Sequence, residues 1–289
     1  MFRSLLVALV LAPVCVAADA KPESVVGTKA PNPALVTVGD GSPAKLDALR
    51  GKAATVVVFV SFECPVSNSY VAGLNELART HAEKGVAVVL VCPTGDAREV
   101  VAKAAAGFKL TVPVLLDPKR ELAGGLKAVC TPEAFLLDAD GTVRYRGRID
   151  DGYSARLKRN PVVTSHELTD ALNAVLAGKP VPTAVTKSVG CEIEYAAKPA
   201  PKAGAVTFYK DGAPSLNTHC VVCHRQGEVG PFALTTFAQA RRWAADIKEY
   251  TANKQMPPWP AAGGVPMRGE RKMTAAEIAT LAAWADADA

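Results

Sequence analysis

Two kinds of hydrophobic pattern alternate along the first half of the chain. Residues 54–60 form an unbroken run, Ala-Thr-Val-Val-Val-Phe-Val, and residues 86–91 form a second, Val-Ala-Val-Val-Leu-Val. Such short β-branched runs are those of strands buried on both faces, as in a parallel sheet. Between them, Val66, Tyr70, Leu74, Leu77 and Ala78 recur at helical spacing, and Gly85 supplies a stop. The pattern predicts a strand–helix–strand unit, with a turn over residues 61–65 before the helix. A helix follows over about 96–106, capped by Asp96. Next comes a short strand at 112–116, placed at a sheet edge because Pro113 cannot donate to a ladder. A short helix is expected over 119–128. Strands at 133–137 and 142–146 flank Asp138-Ala-Asp-Gly141, a hairpin turn whose spacing does not suit a calcium loop. A helix over 164–177, capped by Thr164 or Ser165 and stopped by Gly178, completes an α/β unit with a central sheet flanked by helices.

The pattern changes after residue 178. Pro, Ala, Lys and Thr dominate through 205, which predicts a semi-extended linker over 181–205, long enough for the flanking units to dock separately. A short piece at 190–195 interrupts it. Helical spacing returns over 232–253, where Phe237, Ala240, Trp243 and Ile247 share a face. Thr274 and Glu277 form a capping box that opens a last helix carrying Ile278, Leu281 and Trp284. Residues 206–289 therefore read as a small all-α unit.

The first twenty residues carry Arg3, an apolar run over 4–16 and small residues at 16–20, the layout of a signal peptide. The run is short for a membrane span, and no later stretch is long and apolar enough for one. The expectation is an exported, periplasmic or otherwise extracytoplasmic protein without an integral span in its mature part. Cys15 is a weaker hint of a lipoprotein anchor. The units are then 1–20, 21–180, 181–205 and 206–289. The 289 residues and 49% hydrophobic content suit two cores. A net charge of +5 is mild. Its local cluster, Arg156, Lys158 and Arg159, reads as a solvated loop and not as a nucleic-acid surface.

The candidate chemistry sits in the seven cysteines. Cys220-Val-Val-Cys223-His224 has the spacing of c-type haem attachment. Two thiols three residues apart reach one edge of a porphyrin, and the adjacent imidazole becomes the proximal iron ligand. A small disulfide or a zinc site would use the same residues, although no further ligands at zinc spacing follow His224. For the sixth position Met256 is the candidate. Its thioether is a soft, neutral ligand, and Pro257 and Pro258 stiffen its loop. Met267 and Met273 are rivals, and Trp259 is placed to pack against the porphyrin. Cys64 is the second candidate centre. It stands where a buried strand meets a helix N-terminus, and Pro65 fits the first helical position. Glu63 opposes a thiolate there. Cys92, Cys130 and Cys191 are candidate resolving partners, with inert buried thiols as the alternative.

Two resemblances rest on these motifs. His219-Cys-Val-Val-Cys-His-Arg-Gln-Gly-Glu-Val-Gly-Pro-Phe232, followed by Met256-Pro-Pro-Trp259, resembles cytochrome c-like domains fused to redoxin or monooxygenase domains. That resemblance implies haem c on Cys220, Cys223 and His224, with Met256 as axial ligand. The Cys64-Pro65 turn, with Thr131-Pro132 ahead of the strand at 133, resembles a thioredoxin-like redoxin of the alkyl hydroperoxide reductase/thiol-specific antioxidant type. It implies a cis-proline loop at Thr131-Pro132 facing Cys64. Here Cys64-Pro-Val-Ser67 lacks the usual second cysteine, and Val57 replaces a peroxiredoxin proline. The implied function is an exported oxidoreductase that couples electron transfer to thiol–disulfide or peroxide chemistry. Its partners would be redox proteins or small thiol or peroxide substrates. The other functions left open are an electron-transfer cytochrome with a docking module and a haem-based sensor.

Overall fold

A computed structural model describes residues 24–195, 206–258, 268 and 271–287. The expected leader over 1–20, Trp259, Met267 and residues 196–205 of the expected linker lie outside them. Among the described residues no helix is long and apolar enough to cross a membrane.

The first unit is built on a mixed sheet. Its strands are β1 (Leu35–Thr37), β2 (Pro43–Ala44), β3 (Ala54–Phe59), β4 (Val86–Cys92), β5 (Val114–Leu116), β7 (Glu133–Asp138) and β8 (Val143–Gly147). They lie in the order β2-β1-β5-β4-β3-β7-β8. β3 is parallel to β4 and antiparallel to β7, and β4 is parallel to β5. Every residue of β3 is buried, because helices cover both faces of the central strands. One face packs against α1 (Pro65–His81), α2 (Arg98–Gly107) and α4 (Glu167–Leu176), with Val56, Val58, Leu74, Val101 and Leu168 at its centre. The other face packs Val57, Phe59, Phe135 and Leu137 against α3 (Glu121–Gly125) and the chain's lead-in. This is the thioredoxin-like arrangement that the Cys64 and Thr131-Pro132 motifs implied.

Besides α2, which begins at Arg98 with Ala97 and not Asp96 at its N-cap, three details differ from the pattern reading. The strand with Pro113 is internal, since β1 from the lead-in pairs with it. Pro113 lies just before the strand, so its missing N–H costs no ladder bond, and its carbonyl accepts from the Leu90 amide. Helix α4 begins at Glu167 without a side-chain cap, because the Asp151 carboxylate engages Thr164 and the Ser165 amide. The third detail concerns the expected linker. Part of it is held along the first unit: the Arg146 amide donates to the Ala184 carbonyl at 2.9 Å, the Arg146 carbonyl accepts from the Thr186 amide at 3.0 Å, and Ile193 is buried in the second core.

Within 206–287 the described secondary structure is helical: α5 (Ala213–His219), α6 (Phe237–Arg242), α7 (Ala244–Ala252) and α8 (Ala275–Asp286). Phe208, Trp243, Ile247, Leu281 and Trp284 form its core. The Thr274–Glu277 capping box is present, and a second, Thr236–Gln239, opens α6. This helical unit rests against the first at the Cys64 end of the sheet, joined by the contacts described next.

Candidate functional site

Cys64 occupies the N-cap of α1, one residue before Pro65. The helix N-terminus places partial positive charge beside its sulfur. The strand-to-helix turn tucks the side chain inward, and the residue is only 1% exposed. Opposite it runs Thr131-Pro132, a cis peptide. The Thr131 carbonyl lies 3.1 Å from the Cys64 sulfur and accepts its proton when the thiol is protonated.

Of the three candidate partners, Cys191 is the one brought to Cys64. Its short strand β11 (Cys191–Glu192) pairs antiparallel with β6 (Cys130–Thr131), which sets Cys191 opposite Thr131. The two sulfurs are 2.6 Å apart, with the Cys191 thiol donating. Gly190 makes this approach feasible, because a Cβ there would fall 2.1 Å from the Thr131 carbonyl oxygen. Burial pushes the Cys64 thiol up. The bond from Cys191 and those from the Ser67 amide and hydroxyl outweigh it, and the pKa falls to about 6. Cys191 is pushed the opposite way by that same bond, which favours the charge on Cys64 over Cys191.

The other two thiols are differently placed. Cys92 ends β4 in the core, and burial drives its pKa well above the ordinary thiol range. Burial and Glu133 raise Cys130 to about 12, and its sulfur turns to the Pro132 carbonyl at 3.8 Å. Glu133 itself is buried and paired with Arg146 at 2.6 Å, which fixes the end of β7 beneath the cis-proline loop.

The sequence reading missed what lies over this centre. Glu63 does not stand alone: Arg242 of α6 pairs with it, and Gln239 donates to it at 3.3 Å. Arg156, expected in a solvated loop, instead reaches the helical unit. It tops the hairpin of β9 (Tyr153–Ala155) and β10 (Lys158–Arg159). Its guanidinium lies 3.7 Å from the Trp243 ring centroid and 2.8 Å from the Asp246 carboxylate. Only the tertiary fold brings these partners together, so no local signal marked Arg156.

The helical unit, together with Leu157, lines an open cavity of about 570 Å³, a size usual for cofactor sites. After α5 one more helical turn carries Cys220 to Cys223, and the Cys223 and His224 amides donate to the Cys220 carbonyl at 3.1 and 2.9 Å. Cys220, Cys223, His224 and Met256 all line the cavity, with Phe232, Leu234, Trp243 and Ile247 as apolar wall. Arg268 and Arg271 add cations suited to carboxylates. The His224 ring donates from Nδ1 to the Phe232 carbonyl at 3.1 Å, which leaves Nε2 as the unprotonated, metal-binding nitrogen. Burial also holds its pKa below the ordinary histidine value, although the Phe232 bond acts the other way. Gly230 lets the loop wrap this ring, since a Cβ there would lie 2.8 Å from Nδ1.

These residues fit a covalent haem: two thiols on one turn, a neutral imidazole with its second nitrogen secured, an apolar wall and a thioether on the same cavity. The neighbouring His219 is bonded to Glu277 at 2.9 Å. Met273 packs into the helical core, whereas Met256 is 38% exposed at the cavity. Among the described residues no group of three or more His, Cys, Asp or Glu is arranged to hold a bare metal ion.

Residues 26–146 match the AhpC/TSA family. Among solved structures, an uncharacterized conserved protein from Geobacillus kaustophilus is 33% identical. The similarity covers 61% of this chain and 93% of that one, with a TM-score of 0.54. A hypothetical protein from Sinorhizobium meliloti 1021 is 31% identical over 60% of this chain and 96% of its own, with the same TM-score. No curated protein matches the chain. The family match ends before Cys191 and the helical unit.

Proposed function

The chain belongs to the AhpC/TSA family through residues 26–146, and from that premise we propose an exported thiol oxidoreductase carrying a covalently attached c-type haem. The observation that carries the thiol half is the Cys64–Cys191 contact at 2.6 Å beside a helix N-terminus. Cys64 is the nucleophile and Cys191 the resolving thiol. In thiol–disulfide exchange the Cys64 thiolate attacks one sulfur of a substrate disulfide and releases the first substrate thiolate. Cys191 loses its proton and attacks Cys64, the second substrate thiolate leaves, and a Cys64–Cys191 disulfide remains. With a hydroperoxide, Cys64 takes one oxygen as sulfenic acid and releases the alcohol. The Cys191 thiol then condenses with the sulfenic acid and releases water. Either cycle closes when a reductant returns two electrons to the disulfide.

Cys220 and Cys223 would anchor the haem and His224 would ligate it, with Met256 as the sixth-ligand candidate. A bound haem supplies one-electron transfer. The chain's part is to secure His224 through the Phe232 carbonyl and to keep water from the cavity with Phe232, Trp243 and Ile247. Trp259 would pack against the porphyrin.

Protein made in an export-competent host that attaches haem is to be tested by haemochrome spectroscopy, then by differential alkylation with peptide mass mapping. The reading expects covalent haem on 220–224 and a Cys64–Cys191 disulfide that a dithiol reduces. A Cys64→Ser variant that turns over disulfide and peroxide like the parent would rule out the thiol half. An unaltered haem spectrum in Met256→Ala would remove that ligand.

A further inference from the structure

Between the thiol pair and the cavity stands one side chain that contacts the cavity wall and lies within electrostatic reach of Cys191. Arg156 comes from the first unit, at a hairpin tip whose next residue, Leu157, holds φ at +61°. Leucine rarely adopts that left-handed conformation, so its surroundings must hold it there. They do: Leu157 packs on the helical core and lines the cavity. The tip is thereby anchored in the second unit, and the position of Arg156 is set.

On the cavity side Arg156 lies over the Trp243 ring and pairs with Asp246, and its Nη1 also donates to the Arg242 carbonyl at 3.1 Å. Trp243 stacks on Phe232 with centroids 3.6 Å apart and planes 8° from parallel. Phe232 in turn supplies the carbonyl that secures His224. On the thiol side, the charges of Arg156 and Asp246 both act on Cys191, in opposite senses. Cys191 also packs against the helical core that contains Trp243. The Arg156 Nε and Nη2 atoms are buried and make no hydrogen bond among the described residues. The guanidinium therefore has donors to spare for a second anion.

We propose that Arg156 couples the oxidation state of the Cys64–Cys191 pair to the cavity that holds His224 and Trp243. It is a positioning residue, and the inference rests on the function proposed above. A dithiol reduces the pair by breaking the S–S bond and becoming a cyclic disulfide. It leaves one Cys thiolate, one Cys thiol and a released proton. A negative charge absent in the disulfide thus appears on the pair, whose Cys191 lies in the field of Arg156. Arg156 is then shared between that thiolate and Asp246, and its hold on the Trp243–Asp246 wall weakens. Because coupling is reciprocal, a charge change in the cavity shifts the thiol equilibrium by the same free energy.

The test uses the full, haem-loaded chain. First, the disulfide–dithiol equilibrium is read in dithiothreitol buffers by mass-tag alkylation. Arg156→Gln removes the cation that favours the thiolate, so it should shift the equilibrium about tenfold toward the disulfide, a potential about 30 mV lower. Arg156→Lys keeps the charge and should restore the parental value. Second, the haem midpoint potential is read from the visible spectrum with the pair oxidised and reduced. The two values should differ in the parent and coincide in Arg156→Gln. An unshifted thiol equilibrium in Arg156→Gln, a Lys variant that behaves like Gln, or a parental haem potential blind to the thiols would each overturn the proposal. Failure of the underlying reading looks different: no covalent haem in the spectrum, or no Cys64–Cys191 disulfide in the peptide map.

Discussion

The thiol site and the helical cavity are built in opposite ways. The proposed attachment residues at the cavity come from one turn, Cys220 to His224, and most of its wall follows within the next few dozen residues. The thiol site is assembled from Cys64, Thr131-Pro132 and Cys191, its two cysteines 127 positions apart. A local site can be read from spacing, because one helical turn already sets its geometry. A dispersed site exists only after the sheet has formed and β11 has paired with β6. The two also differ in what tunes them. His224 is held toward its neutral form by burial, against the pull of one carbonyl, whereas Cys64 is held toward its charged form by donors, one of them from far along the chain.

The largest expected effect separates the two regions outright. Cys220→Ala with Cys223→Ala should abolish covalent haem while the Cys64–Cys191 disulfide still forms, as haemochrome analysis and peptide mapping would show. Loss of both together would mean that the thiol site depends on the cavity.

Cys191→Ala should come next. It removes the reversible disulfide and also the main donor to the Cys64 sulfur. The folded Cys64 pKa, lowered from 9.0 to about 6, should climb back, since burial then acts with less opposition. In the parent, Cys64 alkylation should rise through a midpoint near pH 6, and in the variant at a clearly higher pH. The same sign governs stability of the reduced protein. A depressed pKa contributes stability that is fully present above 9 and is lost as pH falls toward 6. A pH series of denaturant melts should show that slope in the parent and a shallower one in Cys191→Ala.

Gly190→Ala tests assembly at a distance from the chemistry. Its Cβ would meet a backbone oxygen, so β11 must shift. The expected cost is about 1–3 kcal/mol, with slower disulfide formation at unchanged Cys64 content. Parental disulfide kinetics would show that Cys191 reaches Cys64 by another route. The smallest effect belongs to Glu63→Gln. Its pair with Arg242 is partly exposed, so about 1 kcal/mol or less is at stake, and the difference from the parent should shrink at high salt.

Much of the fold was legible because burial writes itself into the sequence. The runs at 54–60 and 86–91 became β3 and β4, and the helical spacing after Cys64 became α1. The reading failed where long-range partners decide. Pro113 suggested an edge, but β1 from the lead-in covers that side of β5. Residues near 190 looked like linker because their burial comes from β6 and the second core and not from any periodicity of their own. Arg156 looked solvated because its charge gave no hint that Trp243 and Asp246 would meet it.

By itself the sequence determined most of the elements and the Cys220-to-His224 spacing on which the proposed haem rests, since spacing on one strand or one turn is a local property of the backbone. It also singled out Cys64, because a buried strand running into Pro65 marks a helix N-terminus. Only the tertiary structure decided which cysteine faces Cys64, which of that pair the charge favours, and that Arg156 and Arg242 close the helical unit over it. Those outcomes depend on donors, charges and desolvation contributed by segments far apart in the chain, and such contributions exist only once the chain has folded.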